Sequence, residues 1–217
     1  MSTWGGDEMD QILAPVRLKR RRRSPDEARE QALASARKIL LAEGPAGVTL
    51  SAVAQDIGVT HSVLSHHFGS VAQLQSALMG AMVRDLATAL AEAVAHVRSD
   101  VGGPKAMVDI IFNSFDTNGA GQLAAWIALS DRFEHLEPVR HAVNHLVDAV
   151  NEKVGAPGGD TPRHIPSALL FIALCAVGDS LIGEPLHAML GRDRHAVRRI
   201  ATRLLPSFLS APLSPPS

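Results

Sequence analysis

The sequence predicts an all-α protein: a small N-terminal three-helix unit followed by a larger helical domain. Three observations predict it. Apolar residues recur at helical spacing along the chain, and no segment makes a convincing strand. Ser24-Pro25-Asp26-Glu27 and Ser70-Val71-Ala72-Gln73 both have the form of a capping box, a hydroxyl at the N-cap and Glu or Gln three residues on. Between stripes, Gly44-Pro45, Gly58 and Gly102-Gly103-Pro104 stop each helix with residues that suit a reversal.

Taken in order, residues 1–16 show no sustained period and read as a disordered tail. Arg17 to Arg23 is a basic run, and Arg20, Arg21, Arg22 and Arg23 are placed on DNA phosphates or in the minor groove. Residues 1–23 are thus a tail and basic arm, and 24–69 the DNA-binding domain. Its first helix runs to about Glu43, burying Ala32, Ala36, Ile39 and Leu40. In the second, Leu50, Val53, Ala54 and Ile57 form one stripe that Gly58 ends. Thr60 is the expected N-cap of the third, with Val59, Val63, Leu64 and Phe68 facing inward. That leaves His61, Ser62, Ser65 and His66 outward, small hydrogen-bonding groups suited to a major groove. The spacing is that of a helix-turn-helix.

Residues 70–210 form the second expected domain. Leu74, Leu78, Met82, Leu86 and Leu90 run at i, i+4 in a rod of ~40 Å at 1.5 Å per residue. Helices follow over Lys105–Asp116, Gln122–Phe133 and Pro138–Val154. After a Gly/Pro loop at 155–161, an apolar helix starts at Thr161-Pro162 and runs through Val177, continuing as far as Ile182. A turn around Pro185 and Gly191 then leads to Arg194–Leu205, and the Pro/Ser-rich tail beyond Pro206 frays. Ala168, Leu169, Ile172, Ala173 and Ala176, with Val197, Ile200, Ala201 and Leu204, are the expected two-fold dimer surface.

Charge is uneven: residues 17–69 hold nine Lys/Arg against five Asp/Glu, and residues 70–217 hold twelve against fourteen. A basic N-terminal third suits a polyanion at that end alone. Cys175 is the single cysteine, which fits a reducing compartment, and no secretory signal or span-length apolar run is evident, so a cytoplasmic location is expected.

The segments ALASARKILLAEG and VTLSAVAQDIGVTHSVLSHHFGS, with the long helix that continues through QLQSAL, resemble the tetracycline-repressor (TetR) family of transcription regulators over residues 32–79. The resemblance implies a homodimer bound to double-stranded DNA at a palindromic operator and released by a small-molecule effector. It implies DNA contacts at Ser51, Thr60, His61, Ser62, Ser65 and His66. Two positions depart from the family pattern: Ser65 stands where Tyr is usual and Val71 where Lys is usual, each commonly a contact to the DNA backbone. The alternative is a dimeric small-molecule or protein-binding module whose helix-turn-helix has lost its grip on DNA.

For the effector, Met82, Met107, Phe112, Phe115, Trp126 and Phe171 are the candidate lining of a cavity between helices, each of them equally able to serve as plain core. No cofactor is implied. His141 and His145 share a helix face near His135, but two ligands with no further cluster do not define a metal site. Ser65 beside His66, and Asp179 beside Ser180, point in different directions as helix neighbours, so no enzyme is expected.

Overall fold

A computed structural model describes residues 24–96, 103–130, 135–154 and 165–210; the basic arm and the 155–161 loop lie outside these. Among the described residues the chain forms nine α-helices and no strand. Helix α1 (Pro25–Glu43) starts on a full capping box. The Ser24 hydroxyl accepts the Glu27 N–H at 3.1 Å, and the Glu27 carboxylate accepts the Ser24 N–H at 2.9 Å. Gly44 closes it, donating to the Leu40 carbonyl. A 3-10 turn, Pro45–Gly47, absent from the sequence expectation, precedes α2 (Leu50–Ile57), which Thr49 caps by accepting from the Ala52 N–H.

Gly58 turns the chain toward α3 (His61–Phe68). It sits at φ 69°, ψ 39°, a left-handed geometry that a side chain disfavours, and its N–H and that of Val59 return to α2 carbonyls. Thr60 has the extended backbone of an N-cap, yet its hydroxyl makes no capping bond. Of the expected inner face of α3, Leu64 and Phe68 are buried and Val59 half-buried, whereas Val63 is exposed.

Helix α4 (Val71–His96) opens on the second capping box, Ser70 with Gln73, and at 26 residues spans ~39 Å. Then come α5 (Gly103–Asp116), α6 (Ala120–Leu129), α7 (Glu137–Val154), α8 (Ile165–Met189) and α9 (Ala196–Ser210). The first hydrophobic cluster joins Ala36, Leu40, Val53, Leu64, Phe68, Leu74 and Leu78 to Ala120, Leu123 and Ile127 of α6. The second joins Leu86 and Leu90 to Val108, Phe112, Leu146, Ile165, Ile172 and Leu205. Helix α4 serves both, so packing continues across the expected junction at Gly69 and Ser70.

Three expectations are corrected. Helix α8 does not stop near Ile182 but runs through Pro185 to Met189, and α9 likewise continues through Pro206 to Ser210. A proline costs one backbone hydrogen bond, which argues for a break, but α8 is held across it by a side-chain pair: His187 Nε2 lies 2.8 Å from Asp179 Oδ1, eight residues earlier. Gly183 leaves the room; a Cβ there would stand 2.6 Å from that same oxygen. At 25 residues, with a mean hydropathy of 2.0 over its most apolar window, α8 is long and apolar enough to cross a membrane by length and composition. Its inner face nonetheless packs on α5, α6 and α9.

The third correction concerns the dimer stripe. Ala168, Ile172 and Ala176 are at most 3% exposed, sealed within the chain's own second cluster, as is Ala201. Their small size lets α8 approach its own neighbours closely. The outward row is instead Leu170, 62% exposed, Leu174, 64% exposed, and Leu181; on α9, Ile200 and Leu204 are exposed as well. Periodicity could not separate the two faces because α8 is apolar nearly all round.

Candidate nucleic-acid interface

The outer face of α3 is built by burying Leu64 and Phe68 against α1 and α4, which turns His61, Ser62 and His66 to solvent. Thr60 and Ser51, at the starts of α3 and α2, are exposed beside them. Ser65 differs: half-buried, its hydroxyl donates to the Gly69 carbonyl at 3.3 Å, so its polarity is turned back on its own helix end. Val71 is half-buried against the first cluster. At the positions where the family pattern has Tyr and Lys, this chain therefore offers inward-turned groups.

What holds this face was not legible in the motifs. Arg29 on α1 donates to the His67 carbonyl at 3.2 Å and lays its guanidinium 4.7 Å from the centre of the Phe68 ring, pinning the last turn of α3. Asp56 ties α2 to α1, accepting from Lys38 at 2.7 Å and from Ser35 at 2.8 Å. The Lys38 ammonium, and then the Ser35 hydroxyl, hold its carboxyl below the usual range. Gln75, buried on α4, donates to the Pro45 and Val48 carbonyls and satisfies the 3-10 turn that sequence patterns did not announce. An Arg within i+4 of a helix's own charges looks like a solvated surface group; only the packing of α1 on α3 gives Arg29 its task. Arg29→Ala is expected to cost about 1–2 kcal/mol in stability, read as a lower urea midpoint, and to weaken duplex binding with His61 and His66 unaltered.

Arg20, Arg21, Arg22 and Arg23 lie outside the described residues. Of the effector candidates, Met107 lines an apolar void of about 30 Å³, room for about one water, with Leu90, Ile111, Val150, Leu169 and Leu205. Phe112 is buried in the second cluster, where Phe115 and Phe171 are half-buried, and Met82 belongs to the first. Trp126 is 41% exposed. No group of three His, Cys, Asp or Glu among the described residues could hold a metal, and His141 instead faces Glu137 at 3.1 Å.

Chemically, the α3 face carries short donors and acceptors on a helix free to enter a groove, which is the equipment for reading base edges. Residues 32–78 match the family model described as bacterial regulatory proteins, tetR family. No curated protein matches the sequence. Among solved structures, a TetR-family transcriptional regulator from Streptomyces coelicolor is similar at 18% identity and a TM-score of 0.58, over 86% of this chain and 97% of that one. The fatty acid degradation regulator FadR from Bacillus halodurans matches at 11% identity and a TM-score of 0.58, over 81% and 96%. The multidrug binding protein EbrR, complexed with proflavin, matches at 18% and a TM-score of 0.51, over 82% and 99%. At such identities the likeness speaks for the fold, which all three share with this chain over nearly their full lengths. Residues 32–78 thus match the tetR family model, and the whole chain shares its fold with these regulators.

Proposed function

We propose that this protein is a ligand-responsive repressor that binds a palindromic operator as a homodimer and leaves it when a small molecule enters the second cluster. The observation that carries the reading is the solvent-facing row His61, Ser62 and His66 on a helix fixed by Arg29, Leu64 and Phe68. The exposed apolar row of α8 and α9 supports a two-fold partner, which would set two such helices one DNA turn, ~34 Å, apart. The likeness to EbrR, a multidrug binding protein complexed with proflavin, supports a small-molecule effector.

The small void beside Leu90 gives the response a physical route. It holds about one water, so a ligand has to push its walls apart, and Leu90 stands on α4, whose start follows α3 directly. A ligand that fits only the widened state shifts α4, and with it the spacing of the readers, by no more than its preference for that state.

The test is a titration of a duplex taken from immediately upstream of the gene. A salt-sensitive shift that resists competitor DNA is expected, and the double variant His61→Ala, His66→Ala is expected to lose about 1–3 kcal/mol of discrimination per lost base contact while still binding duplex. Discrimination that survives would put the reading face elsewhere. Absence of any shift would favour the module with a degenerate helix-turn-helix, in keeping with Ser65 and Val71 turned inward.

A further inference from the structure

A cleft of about 610 Å³ between α5 and α9 has no part in that reading. Helix α5 turns Lys105, Asp109 and Asn113, spaced four apart, toward it, and α9 faces them with Arg198, Arg199 and Arg203. At 3.6 residues per turn, the row of Arg199 and Arg203 is centred about 100° round α9 from the row of the exposed Ile200 and Leu204. A partner helix covering the apolar row therefore leaves the basic one open.

The charges in the walls are unevenly met. Lys105 pairs with Asp109 at 2.5 Å. Arg199 is gripped by both carboxylate oxygens of Asp193, and Arg198 by Asn113 at 2.7 Å and Asp116 at 3.3 Å, but neither Asp193 nor Asp116 lines the cleft. Arg203 has no ion-pair partner among the described residues. Four cations thus face the space against one carboxylate. Arg198 is also immobilised in advance: its side chain is 13% exposed, its guanidinium lies 5.3 Å from the Phe112 ring, and its buried Nε–H finds no acceptor.

We propose that this cleft binds a small organic anion, its carboxylate or phosphate group taken by Arg203, with Arg199 and Arg198, each held by a carboxylate of its own, adding positive charge beside it. Guanidinium forks match both groups in bidentate geometry, which is the chemistry the two ligand classes share. Duplex phosphates are poor occupants, because Arg198 of the cleft lies against Phe112 in the second cluster while α3 packs in the first.

Isothermal titration of the full chain with inorganic phosphate and with citrate, each against sodium chloride of equal ionic strength, tests this. The expected result is saturable heat with at least one of them, weakened about tenfold in Arg203→Ala or Arg199→Gln and partly regained in Arg203→Lys. Heat with phosphate alone assigns a phosphate-bearing ligand, and heat with citrate alone a carboxylate. No saturable heat beyond the chloride control overturns the proposal, as does binding undiminished in both Arg203→Ala and Arg199→Gln, which would put the anion elsewhere on the chain. Duplex binding by Arg203→Ala is expected to match that of the unaltered protein, so failure here is distinguishable from failure of operator binding.

Discussion

A glutamate in place of Leu174 is expected to leave the protein folded but monomeric, and to weaken operator binding by about 10²–10⁴-fold. Leu174 is 64% exposed, so its own chain loses little when it becomes polar. In the proposed two-fold interface the change would appear twice on one patch, bringing two like charges together. Leu170 and Leu181, which share the Leu174 side of α8, are exposed and apolar too. Operator binding falls because each half-site must then be held by a single reader, without the gain from linking two. Light scattering gives the mass, circular dichroism the fold and a duplex titration the affinity. A dimer that persists would move the interface off α8.

Phe112→Ala is expected to destabilise the chain by about 3–5 kcal/mol, a large share of the roughly 5–15 kcal/mol that a domain possesses. The ring is 1% exposed and packs within the second cluster with Val108 and Ile111. It is also the platform for Arg198, so its removal leaves a cavity and frees a guanidinium that is now fixed. The unfolding midpoint is expected to fall by roughly 10 °C, at about 2–4 °C per kcal/mol for a chain of this size. Leu41→Ala serves as the contrast: Leu41 is exposed, and a change within about 0.5 kcal/mol is expected. Equal losses in the two variants would mean that Phe112 is not the centre of its cluster.

The two kinds of evidence succeed on different residues. Capping boxes at Ser24 and Ser70, and the reversal at Gly58, were legible because each involves atoms no more than a few positions apart. The outward placement of His61, Ser62 and His66 was legible too, since Leu64 and Phe68 mark the opposite side of a short amphipathic helix. Ser65 was not, because its bond to the Gly69 carbonyl depends on a rotamer rather than a spacing. The pins on the reading face, Arg29 and Gln75, join residues 38, 30 and 27 positions apart, beyond any local rule.

By itself, then, the order of residues determined that the chain is helical, where most helices begin, and that residues 32–78 carry the pattern of the tetR family model. Those properties follow from backbone capping and from the 3.6-residue period, which act within one or two turns. Only the tertiary structure decided which side of α8 is core, that the helix runs on past Pro185, and that α9 sets its arginines against α5. Each of those outcomes is a competition between neighbours distant in the chain, settled by which contacts bury the most apolar surface and leave the fewest polar groups unmet.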